Sequence, residues 1–157
     1  MLSGVKWCIR GGDIMFMGEY LHNMDKKGRV IMPANFREKL EDSFVVTRGL
    51  DNCLFLYPLE EWEKLESELN SLPLTQKDAR KCARFFLSGA TECSFDSQGR
   101  ISLPKNLRKY ADFEREIVIA GIGSRIELWA RDKWDKYLSD AEESHEEIAA
   151  TLDNIDL

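Results

Sequence analysis

The chain is poor in histidine and proline, and its cysteines show no spacing that would suggest a metal. Its 157 residues hold two His (His22 and His145), four Pro and four Cys (Cys8, Cys53, Cys82 and Cys93). The cysteines form no CxxC pair and stand at no zinc-ligand distance from a histidine. A zinc site and a disulfide framework are therefore not indicated, and the thiols read as ordinary buried groups of a reducing compartment. No apolar run approaches the roughly 20 residues of a membrane helix, and the opening MLSGVKWCI lacks the apolar stretch of a secretory signal. The sequence has no GxSxG, HExxH, P-loop or Rossmann fingerprint. Gly121-Ile122-Gly123 reads as a hairpin turn with no helix behind it. The expectation is no catalytic residue, no metal, no cofactor and no small-molecule substrate.

What is present points to a folded chain. The hydrophobic fraction is 43% and the charged fraction 32%, enough for a core and for a well-solvated surface. The net charge of −6 looks unsuited to a nucleic-acid partner, but it is unevenly spread. Residues 140–157 hold seven acids and no Lys or Arg, so without them the balance becomes −6 + 7 = +1. That end reads as a solvated, partly disordered acidic tail.

The dominant feature is a repeat. DKKGRVIMPANFR at 25–37 returns as DSQGRISLPKNLR at 96–108. Asp25/Asp96, Gly28/Gly99, Arg29/Arg100, Pro33/Pro104, Asn35/Asn106 and Arg37/Arg108 are identical at a constant offset. Such self-similarity marks a duplicated structural unit. In each copy Asp and Gly take positions i and i+3 of a type I turn, so Asp25, Gly28, Asp96 and Gly99 are the turn-structuring residues. The alternating residues before the turn and Val30-Ile31-Met32 after it read as a hairpin, and so do their counterparts in the second copy. Pro33 and Pro104 then open short helices, where a missing N–H costs nothing. A second hairpin and an amphipathic helix opened by Trp62 or Trp134 complete each unit. A linking helix begins near a cap at Thr75, with Ala79, Cys82, Ala83, Phe86 and Leu87 as its apolar stripe. A unit of about 50 residues is marginal alone, so the two are expected to share a core.

The repeated turns are basic. Lys26, Lys27 and Arg29 cluster at the first, with Arg37 behind it; Arg100, Lys105 and Arg108 accompany the second. Residues 96–110 carry four bases against one acid. Arginine's planar fork suits a guanine edge or a phosphate, and exposed turns bring backbone N–H groups to phosphates. These seven cations are the candidate DNA-binding residues. Ser97-Gln98 replaces the lysine pair in the second turn, so the first is expected to bind phosphate more strongly. On the linking helix Lys77, Arg80, Lys81 and Arg84 form a basic face, read as solvated or as a contact with the acidic helix after Trp62 in another subunit.

The repeated D-x-x-G-R-[VI]-x-[ML]-P phrase and the MFMGEY that begins at Met15 resemble the MraZ family, a branch of the AbrB/SpoVT-like swapped-hairpin DNA-binding proteins. The resemblance runs from Met15 to about Tyr137. It implies an α+β, β-rich fold: two AbrB-like swapped-hairpin repeats packed about a pseudo-twofold axis, with flanking amphipathic helices. The expected segments are a first half at 15–74, a linking helix at 75–90, a second half at 91–139 and the acidic tail at 140–157. By the same resemblance the chain is a cytoplasmic, nucleoid-associated regulator that binds double-stranded DNA. It assembles with itself into a ring and represses its own division and cell-wall gene cluster through short repeated promoter elements. The alternative is a protein-interaction scaffold that binds a neighbouring operon product. Residues 1–14 match nothing in the repeat. Arg10-Gly11-Gly12-Asp13 can be encoded by purine-rich codons like those of a ribosome-binding site upstream of Met15, so the segment reads as an over-called start or a disordered arm.

Overall fold

Near-continuous apolar runs such as Phe44-Val45-Val46 and Ile117-Val118-Ile119-Ala120 build the central strands, which bury side chains on both faces of the sheet. The computed structural model describes residues 15–152, so the reading of residues 1–14 lies outside the described residues. In order come β1 (Phe16–Asn23), β2 (Arg29–Ile31), α1 (Ala34–Leu40), β3 (Ser43–Arg48), β4 (Leu54–Pro58), α2 (Leu59–Asn70) and α3 (Lys77–Gly89). The second repeat supplies β5 (Thr91–Ser94), β6 (Arg100–Ser102), α4 (Lys105–Tyr110), β7 (Glu116–Gly123), β8 (Arg125–Ala130) and α5 (Arg131–Ala150). The class is α+β with a mostly antiparallel sheet, as the sequence implies.

The expected hairpin across each repeated turn does not form. β1 pairs along its whole length with β7 of the other repeat, Phe16 opposite Gly123 and Asn23 opposite Glu116. β5 likewise pairs with β3, and β2 pairs with β6 as a separate two-stranded ribbon. The turn still closes, but its ladder ends at the Asp25–Arg29 bond. The physical reason is burial. A local hairpin would leave Val30 and Ile101 on a small open surface, whereas the exchange makes both fully buried in one shared core. The large sheet runs β1-β7-β8-β4-β3-β5. Since β1 corresponds to β5, β7 to β3 and β8 to β4, the order reads the same from either end. The pseudo-twofold axis passes between β8 and β4, and the repeats are not independent lobes.

The sheet has two covered faces. Phe44, Val46, Leu54, Leu56, Ile117, Ile119, Ile126 and Leu128 face the ribbon and the two short helices. There Phe36 of α1 meets Phe16 and Tyr20 edge-to-face at 5.4 and 5.3 Å between ring centroids. Val45, Phe55, Tyr57, Val118 and Trp129 point the other way and are covered by Trp62, Phe86 and Trp134 from the three long helices. Buried Thr47 donates its hydroxyl to the Phe86 carbonyl at 2.7 Å, tying α3 to β3. Burial raises the Cys53 thiol far above its ordinary range and the Cys93 thiol to about 11, so both are protonated and unreactive at neutral pH.

Two further expectations are revised. α3 starts at Lys77 with Gln76 as its first flanking residue, and no side-chain cap is made; the bond from the Gln76 N–H to the Pro73 carbonyl makes a separate turn before the helix. Thr75 is therefore not the cap. The acidic segment is not disordered through Ala150 either, because α5 runs on to that residue. Its first turns are anchored: the Trp134 indole donates to Glu19 at 2.7 Å, and Tyr137 packs on Trp129 at 5.0 Å. With nucleation already met, the Ala- and Glu-rich continuation propagates as helix.

Candidate nucleic-acid interface

Each repeated turn is built by its aspartate. Asp25 Oδ1 accepts the backbone N–H groups of Lys27 and Arg29, both at 2.9 Å, and Oδ2 accepts the Arg29 Nε–H at 2.6 Å. Asp96 repeats the pattern with Gln98, Arg100 and the Arg100 Nε–H at 2.9, 2.9 and 2.8 Å. The bond from the Arg29 backbone amide is the main reason the Asp25 carboxyl titrates below its usual range. The Arg29 side chain and the Lys27 amide add to it, against a partial desolvation. Asp96 is lowered by the same set of partners, led by the Arg100 amide. Gly28 and Gly99 close the turns at φ +80° and +75°, a left-handed conformation that side chains other than Gly rarely adopt.

The swapped strands bring the two turns to one surface. In the ribbon, Arg29 stands opposite Ser102, Val30 opposite Ile101 and Ile31 opposite Arg100. Val30 and Ile101 point into the core, so alternation turns Arg29, Ile31, Arg100 and Ser102 outward. Both arginines stay partly in solvent, with 28% and 23% of their side chains accessible, and Arg100 reaches within 3.9 Å of Asp25. Lys26, Lys27 and Lys105 are exposed, as are Ser97 and Gln98. The acid–arginine pairs thus fix each guanidinium at the surface without consuming all of its donors.

Arg37 and Arg108 behave differently from the other five candidates. Arg37 Nη1 donates to the Met32 carbonyl at 2.8 Å and Arg108 Nε to the Leu103 carbonyl at 3.0 Å. Both side chains turn inward against the other repeat's glycine, and both residues are half-buried. Lys39, outside the candidate set, donates to the Met15 carbonyl at 2.7 Å. Ile31 and Ser102 escaped the sequence reading although the signal was there: they follow the apolar Val30 and Ile101 by one position and must face the opposite way.

A two-stranded β-ribbon is one of the shapes that the major groove of B-DNA admits. The lysine-bearing first turn and the Ser97-Gln98 turn stand at its ends, with the outward arginines between them.

The model of the MraZ protein family matches this chain twice in succession, at residues 15–85 and 86–155. A protein of Halothermothrix orenii is 62% identical over 141 residues, covering 90% of this chain and 99% of its own length. One of Natranaerobius thermophilus is 56% identical over 143 residues, covering 91% and 100%. One of Desulforamulus reducens is 56% identical over 138 residues, covering 88% and 97%. Each of the three is named transcriptional regulator MraZ. With the duplicated turn, the exchanged strands and a family match spanning both repeats, the chain belongs to the MraZ family.

Proposed function

We propose that the chain is a sequence-specific DNA-binding transcriptional regulator that represses its own division and cell-wall gene cluster. It acts on short repeated promoter elements as a homo-oligomeric ring, in the cytoplasm at the nucleoid. The observation that carries this reading is the ribbon: Arg29 and Arg100 face outward from it, and Lys26 and Lys27 edge the first turn. Arg29 and Arg100 would contact base edges or phosphates, with Lys26, Lys27 and Lys105 supplying backbone contacts. The relatives' name supports the regulatory role, and the sequence resemblance supports the ring and the gene cluster. A ring raises avidity by linking weak sites without any new contact. Neighbouring elements would then lie about 10 bp apart, one turn of the duplex.

The test is a gel shift with DNA from upstream of the chain's own gene, alongside a mass measurement of the free protein. Arg29→Ala should abolish the specific shift and leave the oligomer mass unchanged. Affinity should also fall with salt at a log–log slope of about −0.9 per neutralised phosphate. A flat salt response, or no shift with the unmodified protein, would reject the reading. The scaffold alternative draws on the outer half of α5, where no residue from Ser139 to Leu152 is buried; a scaffold gives no shift.

A further inference from the structure

Several residues of the repeated phrase pack across the molecule on the other copy: the turn glycines, the strand ends Met32 and Leu103, and the helix arginines. A Cβ added to Gly28 would lie 2.6 Å from Arg108 Cζ and Nε, and one added to Gly99 would lie 2.6 Å from Arg37 Nη1. Each guanidinium end therefore occupies the space that a side chain on the opposite repeat's turn glycine would need. Backbone bonds close the same circuit. The Met32 N–H donates to the Gly99 carbonyl at 3.2 Å and the Leu103 N–H to the Gly28 carbonyl at 2.9 Å. The Met32 carbonyl in turn accepts from Arg37, and the Leu103 carbonyl from Arg108. Turn glycine, strand end and helix arginine form one connected set, and it occurs twice with the repeats exchanged.

We propose that Arg37 and Arg108 are positioning residues, each fixing the exposed turn of the opposite repeat. Arg108, on α4, sets the lysine-bearing first turn; Arg37, on α1, sets the Ser97-Gln98 turn. The duplicated glycine then has two roles, since it supplies the left-handed bend and leaves room for the arginine. Lysine cannot replace the arginine here, because the contact uses a guanidinium that donates to the strand-end carbonyl, through Nη1 of Arg37 or Nε of Arg108, while the rest of the group packs on the glycine. Arg108 sits on the same short helix as Lys105, so the first turn is held against a basic element of the second repeat. The strong phosphate-binding end would thus be assembled from both repeats. That last consequence rests on the DNA-binding reading above, while the clamp itself does not.

The test follows amide hydrogen exchange by NMR in the free, full-length protein, with circular dichroism to verify that each variant keeps its fold. Arg108→Ala should speed exchange at Lys27, Gly28 and Arg29 by about tenfold, the scale of one lost side chain–backbone hydrogen bond, and leave Gln98, Gly99 and Arg100 unchanged. Arg37→Ala should do the reverse. Arg108→Lys keeps the charge and should resemble Arg108→Ala. Loosening of the variant's own turn, no loosening, or full rescue by lysine would each overturn the proposal. With promoter DNA, Arg108→Ala should weaken binding more than Arg37→Ala. If the unmodified protein binds no DNA while the crossed exchange pattern holds, the regulatory reading fails and the clamp stands.

Discussion

Asp25 and Asp96 carry the local chemistry of the two turns, and their titration gives a direct probe of it. Both carboxyls are held below the ordinary range by backbone and arginine donors. A depressed folded-state pKa stabilises the turn at pH above the unfolded value of about 3.9, and that contribution disappears as pH falls through the folded one. The amide resonances of Lys27 and Arg29 should therefore move at a lower pH than an ordinary carboxyl would dictate. Asp25→Asn should remove that acid step at the first turn and leave the one at Gln98 and Arg100 in place, as read by NMR titration. These turns were legible from sequence because their causes lie within five residues: an acid at the first position, a glycine at the fourth, an arginine at the fifth. The packing of Arg37 and Arg108 was not legible. Both look like surface cations on short helices, and only the coordinates place them against the opposite repeat's glycine.

At the scale of elements, the short helix α1 is anchored by one aromatic side chain. Phe36 is fully buried and touches both Phe16 and Tyr20 of β1, so it seats the helix on the sheet and braces the edge strand. Phe36→Ala should cost about 3–5 kcal/mol, measured as a lower urea midpoint with an unchanged slope. Pro33 marked the start of this helix in the sequence, as the stripe from Ala79 to Leu87 marked α3. The partners of the strands were less accessible. Val30 between outward residues reads equally well as the return arm of a hairpin and as a strand of the ribbon, because alternation fixes the face of a residue and not its neighbour. The acidic stretch misled for a related reason. Charge content suggested disorder, while the anchoring of Trp134 on Glu19, a contact between residues far apart in sequence, sets the helical state.

For the whole molecule, the exchange makes each repeat incomplete. The first repeat alone would leave β1 without β7, β2 without β6 and the β4 edge without β8. A fragment of residues 15–74 should therefore show no cooperative thermal transition by circular dichroism. Mixing it with residues 75–152 should restore one, and a sharp transition in the isolated fragment would contradict the shared core. The duplication itself was plain in the sequence, as was the need for the halves to complete each other, since a unit of about 50 residues is marginal alone. The direction of the exchange came from family resemblance and from the coordinates, not from composition or spacing.

The pairing of Phe16 with Gly123 also constrains how the chain is made. A ribosome releases the first strand long before its neighbour exists, so during synthesis Phe16 and the bonding edge of β1 remain uncovered while most of the polypeptide is still being threaded through the exit tunnel. Native closure must await nearly complete translation, which favours slow maturation.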